Sequence, residues 1–261
     1  MKGEENPVIC GGLRKKGDAM NTIAQLQSII DNSNNIVFLG GAGVSTDSGI
    51  RDFRGKNGLY TMRDKARPGV TPEYLLSNTC LYFDTELFLE NYRENLNCSD
   101  AQPNVTHLYL KQLEDAGKLK AVVTQNIDGL HQKAGSKKVF EIHGTLWRNY
   151  CTACKKEYPP TFLFDTEGVP KCECGGLIRP DVVLYGEMLP QAYYDAADVI
   201  AQAEVLLVAG TSLQVSTVGA LVDEYQGKHL VIINDMATAY DNRAELVIRT
   251  PLGEVFAGLH V

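Results

Sequence analysis

The chain has 261 residues, and its 25 lysines and arginines against 32 aspartates and glutamates give a formal net charge of −7 at pH 7. Its 44% hydrophobic and 22% charged content excludes disordered, collagen-like and coiled-coil classes and predicts a globular protein with a core of ordinary size. The acidic balance argues against sequence-independent nucleic-acid binding, and no apolar run approaches the ~20 residues that a bilayer crossing needs. We therefore expect no nucleic-acid or membrane partner. Because residues 1–13 are polar and contain no apolar signal core, we expect a cytoplasmic location, and we further expect a monomer.

The predicted elements alternate between short apolar strands and amphipathic helices. Residues 1–19 are expected to form a flexible arm, helical periodicity follows, and Ile36–Leu39 predicts a buried strand. A helix is predicted over Asn104–Asp115, with Val105, Leu108 and Leu113 facing inward. Further strands are predicted at Ala121–Thr124, Val139–Ile142, Val182–Tyr185, Val205–Ala209, Leu230–Ile233 and Leu246–Ile248, and further helices near Ala192–Gln202 and Val218–Tyr225. This alternation is typical of an α/β fold, a Rossmann-like parallel sheet with helices on both faces.

Two segments interrupt the alternation. Residues 53–98 are rich in aromatic and charged side chains, and residues 147–180 hold a cysteine cluster and four prolines. We expect both segments to leave the sheet, the first as a helical module, and to build a smaller lobe together. The sheet domain then consists of residues 20–52, 99–146 and 181–261, and the cleft between the lobes is the expected ligand site.

A glycine-rich turn, Gly40–Gly43, directly follows the first predicted strand. Such a turn lets the backbone approach a pyrophosphate, although the third glycine of the usual dinucleotide fingerprint is replaced by Thr46, and a plain strand–helix turn is the alternative. Nearby, Asp52, Phe53 and Arg54 offer a hydrogen-bond acceptor, an apolar lid and a cation that pairs with phosphate. This triplet favours nucleotide binding.

A set of polar and small residues stands directly after other predicted strands. Because ligands bind beyond the carboxyl ends of the strands in open α/β sheets, these residues are candidates for a nucleotide or amide site. They are Gln125, Asn126 and Asp128, then His143, then Gly210, Thr211 and Ser212, and finally Asn234 and Asp235. His143 titrates near neutrality, as a general base should. Asx-type turns, a helix cap and a half-buried structural histidine are the alternatives for these positions.

Four of the seven cysteines form the strongest local signal. Cys151 and Cys154 are separated by two residues, and after 17 more come Cys172 and Cys174, separated by one. Paired thiolates at such spacings predict one Zn²⁺ held in a closed tetrahedron, which leaves no position for water and makes the metal structural. Residues 147–180 are therefore expected to form a zinc ribbon.

In this order and spacing, the motifs resemble those of the sirtuins, the family of NAD-dependent protein lysine deacylases. The resemblance covers essentially residues 20–261 and is carried by GAGVSTDSGIRDFRG, TQNIDGLHQKAG, EIHG, the four cysteines, IRPDVVLYGEMLP, GTSLQV and the end of the IIND strand. It implies an NAD-binding sheet domain, NAD as co-substrate, one structural zinc ion, and acyl-lysine proteins or peptides as substrates.

The resemblance also implies roles for individual residues. His143 would be the general base, and Asn126 and Asp128 would complete the catalytic set, with Asp128 gripping the nicotinamide carboxamide. Contacts to NAD are implied for Gly41, Ala42, Gly43, Thr46, Asp52, Phe53, Arg54, Gln125, Asn126, Ile127, Asp128, His143, Gly210, Thr211, Ser212, Asn234, Asp235 and Leu252. The substrate peptide would be held as an added strand by Val183, Tyr185, Gln214 and Val215.

The implied reaction is transfer of an acetyl group from lysine to ADP-ribose, with release of nicotinamide and O-acetyl-ADP-ribose. An NAD hydrolase or protein ADP-ribosyltransferase that uses the same pocket is the alternative, and a non-catalytic binding module has no need of a base at His143. Members that prefer acidic acyl groups carry a Tyr-x-x-Arg pair, where this chain has Glu90 and Arg93, so we expect neutral acyl groups. Arg51 in place of the usual proline implies a less rigid loop, and Ser216-Thr217 replace a common Tyr-Pro.

Overall fold

The structure, a computed structural model, describes residues 16–52, 58 and 69–261. The strands are β1 (Ile36–Gly40), β2 (Leu119–Thr124), β3 (Val139–Glu141), β4 (Gly144–Cys151), β5 (Glu157–Tyr158), β6 (Ile178–Val182), β7 (Val205–Ala209), β8 (His229–Ile233) and β9 (Leu246–Ile248). The helices are α1 (Lys16–Asp31), α2 (Pro72–Leu75), α3 (Asn78–Phe83), α4 (Thr85–Leu96), α5 (Val105–Asp115), α6 (Leu130–Lys133), α7 (Phe162–Asp165), α8 (Gln191–Ala201), α9 (Ser216–Asp223) and α10 (Leu252–Ala257). Within these ranges, every helix is too short or too polar to cross a lipid bilayer.

The main sheet has six strands in the order β3-β2-β1-β7-β8-β9, and every neighbouring pair is parallel. This confirms the predicted α/β fold with a parallel sheet. From β1 the sheet extends in one direction through β2 and β3 and in the other direction through β7, β8 and β9. This change of direction between β1 and β7 is the topology that places a ligand crevice beyond the carboxyl ends of the central strands. Those ends are in register, because consecutive partners across five strands are Glu141, Thr124, Gly40, Ala209 and Ile233.

Both faces of this sheet are covered by helices, and successive side chains along each strand point to opposite faces. In β1, Phe38 belongs to the core that α1, α5 and α10 cover, while Leu39 belongs to the core beneath α8 and α9. All five residues of β1 and of β7 are buried. Strands buried on both faces read as continuous apolar runs, which is why the sequence predicts them well.

Helix α5 is rotated relative to its predicted orientation. Val105 and Leu108, which were expected to face inward, are 36% and 48% exposed, while Thr106 and His107 are buried. The buried residues of α5 are Thr106, His107, Tyr109, Leu110 and Leu113, so of the three residues predicted to face inward only Leu113 does. A capping box at the helix N-terminus, made by Asn104 and His107, fixes this rotation.

The second sheet is small and antiparallel, in the order β5-β4-β6. Its core is shared with α2, α3, α4 and α7 and includes the buried thiols Cys151 and Cys172. Strand β4 begins at Gly144, directly after the carboxyl end of β3, and therefore joins the two sheets. The smaller sheet lies against one end of the main sheet, where it can form one wall of a cleft.

The prediction of a strand at Val182–Tyr185 in the main sheet is wrong, both in the residues that form the strand and in the sheet to which it belongs. The strand is Ile178–Val182, and it pairs with β4 of the smaller sheet. Pairing stops at Val182 because its partner, Gly144, is the first residue of β4. Residues 183–185 continue as an extended segment, with a single bridge between Tyr185 and Ser77. Helix α1 begins at Lys16, inside the segment 1–19 that was expected as an arm.

Candidate active site and metal centre

A cavity of about 960 Å³ opens at the aligned carboxyl ends of the main sheet. Residues 94–101 and 182–187 form its opposite wall. The sequence-predicted residues that line it are Ala42, Gly43, Asp52, Gln125, Asn126, Ile127, Asp128, His143, Val183, Tyr185, Gly210, Thr211, Ser212, Val215, Asn234 and Asp235. The cavity therefore gathers segments that follow five strands of the main sheet and the segment that follows β6 of the smaller sheet.

Four of the sequence-predicted residues that the structure describes do not line the cavity, and Phe53 and Arg54 lie outside the described residues. Gly41 is buried behind Thr211, exposed Thr46 donates its hydroxyl to the Gly43 carbonyl oxygen at 2.9 Å, Gln214 is exposed, and Leu252 packs against the core under α1, α5 and α10.

Two glycine turns touch at the floor of the cavity. The Gly43 N–H donates to the Gly210 carbonyl oxygen at 2.8 Å. A Cβ on Gly43 would lie 2.7 Å from the Gly210 Cα, and Gly210 has a positive φ of 60°. Both positions therefore require glycine, since a side chain on either would force the turns after β1 and β7 apart. The close approach leaves backbone exposed where a pyrophosphate can reach it.

His143 stands directly after β3 with a defined tautomer. Its Nδ1 lies 3.1 Å from the Gln125 carbonyl oxygen. Because a carbonyl oxygen only accepts, Nδ1 carries the proton and Nε2 keeps its lone pair. Burial lowers the pKa of His143, and the hydrogen bond to Gln125 opposes that shift in part. At neutral pH the side chain is therefore a neutral imidazole, and its accepting Nε2 at the cavity wall has no hydrogen-bond partner in the part of the chain that the structure describes.

A chain of three side chains connects the turns after β1 and β2. The Asn126 amide donates to the Ser45 hydroxyl at 3.0 Å, and Ser45 donates to an Asp128 carboxylate oxygen at 2.6 Å. Ser45 is 1% exposed and lines the cavity. The sequence reasoning did not select Ser45. Its position in the loop directly after the glycine-rich turn could have identified it, because a hydroxyl buried in such a loop needs polar partners.

Asp128 is held in a nearly closed environment. Its second carboxylate oxygen accepts from the Leu130 N–H at 2.9 Å, and its own carbonyl oxygen accepts from the Trp147 indole N–H at 2.6 Å. Burial raises the pKa of the Asp128 carboxyl, while the hydrogen bonds from Ser45 and Leu130 lower it. A carboxylate fixed in this way can hold an amide N–H of a ligand with little reorganisation.

The extended segment 183–185 is held on both sides. The Val183 N–H donates to the His143 carbonyl oxygen at 2.9 Å, and Tyr185 exchanges backbone hydrogen bonds of 3.0 Å with Leu76 and Asn78. The Leu184 N–H donates to the Glu187 carboxylate at 2.9 Å, and Glu187 forms an ion pair with buried Arg179. The segment is therefore fixed next to His143.

The four cysteines of the smaller sheet come together as a possible metal centre. All four sulfur atoms lie within 4.8 Å of one another, with 3.5 Å between the sulfurs of Cys151 and Cys174 and 3.6 Å between those of Cys154 and Cys172. Zn–S bonds of about 2.3 Å in a tetrahedron place ligand sulfurs about 3.8 Å apart, so the set fits one Zn²⁺. A Cβ on Gly176 would lie 2.6 Å from the Cys151 sulfur, which explains the glycine there.

Comparison with known proteins settles the family. Residues 41–217 match the sequence profile of the Sir2 family. The chain belongs to the Sir2 family. The NAD-dependent protein deacetylase of Clostridium perfringens (strain 13 / Type A) is 49% identical over 236 residues, 89% of this chain and 96% of that relative. A relative of the same name from Staphylococcus epidermidis is 48% identical over 235 residues, 89% of this chain and 94% of the relative.

Solved Sir2 structures share the fold over almost the whole chain. A Sir2 structure with a deacetylated p53 peptide and 3′-O-acetyl ADP ribose superposes with a TM-score of 0.82 at 35% identity and covers 91% of this chain and 96% of its own. A Sir2 structure with a p53 peptide and NAD+ gives a TM-score of 0.78 at 35% identity, with 90% and 95% covered. These similarities confirm the sirtuin resemblance of the sequence.

Proposed function

We propose that this Sir2-family chain is an NAD-dependent protein lysine deacetylase that transfers the acetyl group of lysine to ADP-ribose and releases nicotinamide and O-acetyl-ADP-ribose. The single observation that carries the proposal is the His143 imidazole, whose accepting Nε2 has no hydrogen-bond partner among the described residues and lies where the segment 183–185 meets the cavity. Relatives of 45–49% identity that carry the deacetylase name support it.

NAD is proposed to lie across the strand ends. The exposed backbone of the turn at Ala42 and Gly43 supports a contact to the pyrophosphate, and Gly210–Ser212 with Asn234 and Asp235, after β7 and β8, are proposed to hold the adenosine half. The Gln125 amide donates to the Thr211 hydroxyl at 2.9 Å at the cavity wall, which supports the proposed contact of Gln125 with a ribose hydroxyl. The remaining residues proposed to contact NAD are Gly41, Thr46, Asp52, Phe53, Arg54 and Leu252.

Asn126, Ile127 and Asp128 are proposed to form the nicotinamide pocket. When bound, NAD supplies an electron-poor sugar carbon from which nicotinamide departs. The Ser45-linked side chains of Asn126 and Asp128 hold the carboxamide, and the buried position of Asp128 strengthens that hydrogen bond because water does not compete. The chain's contribution to this step is orientation and exclusion of water.

His143 is the proposed general base. Its Nε2 accepts a proton from a ribose hydroxyl, while the Gln125 carbonyl oxygen holds the Nδ1 proton and stabilises the imidazolium that forms. This arrangement matches the general rule that a base is oriented by a second acceptor on its other nitrogen. Proton transfer at this point activates the hydroxyl that takes the acyl group.

The substrate is proposed to enter as an extended peptide between Val183 and Tyr185 on one side and Gln214 and Val215 on the other. A neutral acyl group suits the described wall, because the Arg93 guanidinium already donates to the carbonyl oxygens of Leu163 at 2.9 Å and Gly168 at 2.7 Å. Arg93 is not among the residues that line the described cavity, and Glu90 stands where a Tyr-x-x-Arg pair would have its tyrosine, so acetyl is the expected acyl group.

We also propose the division of the chain into lobes. The NAD-binding domain comprises residues 20–52, 99–146 and 181–261, with a helical module at 53–98, a zinc-ribbon module at 147–180 and an arm at 1–19. The zinc held by Cys151, Cys154, Cys172 and Cys174 is structural. The cytoplasmic location, the monomeric state and the lack of a nucleic-acid or membrane partner remain predictions from the sequence.

Release of nicotinamide with and without an acetyl-lysine peptide tests the function. We expect release only when NAD and the acetylated peptide are both present, because the acyl oxygen is the nucleophile that the cavity admits. The control is the same peptide with unmodified lysine. Equal release from NAD alone would support the hydrolase alternative, and ADP-ribose found on a protein side chain would support the transferase alternative.

A further inference from the structure

Asn104 connects the cofactor loop to the core through one side-chain amide. The residue precedes α5 and is half-buried. Its Oδ1 accepts from the Thr106 N–H at 3.0 Å, which caps the helix. Its Nδ2 points the other way and donates to the Val44 carbonyl oxygen at 2.8 Å and to the Ser48 hydroxyl at 3.0 Å. One side chain thus joins a helix N-terminus to the loop after β1.

The loop that Asn104 holds is the floor of the dinucleotide site. It contains two short 3-10 segments, Ala42–Val44 and Thr46–Ser48, which meet at Ser45. Val44 ends the first segment and Ser48 ends the second, so Asn104 holds the end of each. Ser45 and Ser48 line the cavity, and the Ser45 hydroxyl bonds Asp128. The relative orientation of the two segments therefore determines where the backbone meets the pyrophosphate.

The other end of the connection is rigid. The Asn104 N–H donates to the His107 Nδ1 at 3.3 Å, and His107 is fully buried with its ring 4.7 Å from that of buried His131. Helix α5 also places Leu110 and Leu113 in the core beneath the sheet. Because this framework cannot shift without disturbing the core, Asn104 is a fixed point against which the loop is held.

We propose that Asn104 is a positioning residue for the dinucleotide, whose two Nδ2 donations hold the 3-10 segments in the orientation that accepts the pyrophosphate. The inference rests on the proposed function of the cavity as an NAD site. The Oδ1 cap and the Nδ2 clamp are separate interactions, so they can be removed separately. Asn, Asp and Ser cap helices about equally well, but only Asn carries the donors that reach the loop.

The test compares Asn104→Ser and Asn104→Asp with the wild-type protein. Both variants keep an oxygen for the Thr106 N–H and lose the two donations to Val44 and Ser48. Without the two hydrogen bonds the 3-10 segments leave the binding orientation more often, and a fall of the binding-competent fraction to about a fifth to a thirtieth predicts a rise of about 5- to 30-fold in the Kd and KM for NAD. We expect kcat at saturating NAD and the KM for peptide to stay close to the wild-type values, and the melting temperature to fall by only about a few degrees.

Two further variants bracket this effect. Ser48→Ala removes one of the two acceptors and should raise the Kd for NAD by a smaller factor than Asn104→Ser. Asn32→Ser, at an exposed residue after α1, is the matched control that should leave the Kd unchanged. A wild-type Kd for NAD in both Asn104 variants would overturn the inference, and so would a weakened Kd accompanied by an equal weakening of peptide binding and a larger fall in the melting temperature.

The same titration separates failure of the inference from failure of the proposed function. NAD binding is measured by calorimetry on the whole chain without peptide. If the wild-type protein binds NAD but forms no deacetylated peptide, the proposed function fails while the comparison of Asn104 variants still decides the inference. If the wild-type protein binds no NAD, both fail.

Discussion

His143→Ala is expected to lower kcat for deacetylation by about 10²- to 10⁴-fold, the range for loss of a general base, and to change the Kd for NAD by less than about threefold. The reason is that His143 presents only Nε2 to the cavity, while its Nδ1 is committed to the Gln125 carbonyl oxygen. Because the base acts after nicotinamide departs, exchange of labelled nicotinamide into NAD should persist in the variant. Steady-state assays and calorimetry measure these quantities.

His143→Asn is the matched control for orientation. Its side-chain amide can still donate to the Gln125 carbonyl oxygen, but it cannot act as a base at neutral pH. We expect the same loss of kcat with a melting temperature nearer to wild type than that of His143→Ala. Retained deacetylation in either variant would contradict the role assigned to His143.

The pH profile supplies a second readout of the same residue. Burial lowers the pKa of His143 below its ordinary value of 6.5, so the imidazole is neutral and able to accept a proton above that pH. The kcat/KM of the wild-type enzyme should therefore fall only as the pH drops below about 6.5 and should not change between pH 7 and 8 on account of this group. An acid limb centred well above pH 7 would contradict the assignment.

Removal of zinc is expected to unfold the smaller lobe. Cys151 and Cys172 are part of its hydrophobic core, and the four sulfurs hold the chain between β4 and β6. Structural zinc contributes folding free energy directly, so Cys172→Ser should lose the metal and lower the melting temperature by more than about 10 °C. Metal analysis by mass spectrometry and thermal unfolding followed by circular dichroism measure both effects.

Cys80→Ser is the matched control for the zinc prediction. Cys80 is a buried thiol in the same hydrophobic core, outside the four-cysteine cluster. Its replacement should leave one zinc ion per chain and lower the melting temperature by less than the change at Cys172. An unchanged melting temperature after verified zinc removal would show that the metal does not hold the lobe.

The parallel sheet could be predicted from the sequence because its strands are buried on both faces. Val205–Ala209 and Leu246–Ile248 are apolar throughout, and the structure places both strands as predicted. The run of apolar residues at Val182–Tyr185 did not predict the strand correctly, because strand pairing there depends on where β4 begins, some 40 residues earlier in the chain. The rotation of α5 depends on the cap at Asn104, which a count of apolar residues does not include.

Residues of the candidate site could be predicted where they belong to a local sequence motif. Residues whose role depends on a contact with a distant segment could not. Asn126, Asp128 and His143 follow strands whose ends meet in one row, which the fold class alone implies. Ser45 and Asn104 were missed because their partners lie 83 and 60 residues away in the chain. Such long-range hydrogen bonds leave no periodicity in the sequence.

Product analysis tests the central claim most directly. Wild-type protein is incubated with NAD and an acetyl-lysine peptide, and the products are identified by mass spectrometry. The account predicts nicotinamide, deacetylated peptide and O-acetyl-ADP-ribose in equal amounts. Free ADP-ribose with the peptide still acetylated, or free acetate with NAD unconsumed, would contradict it.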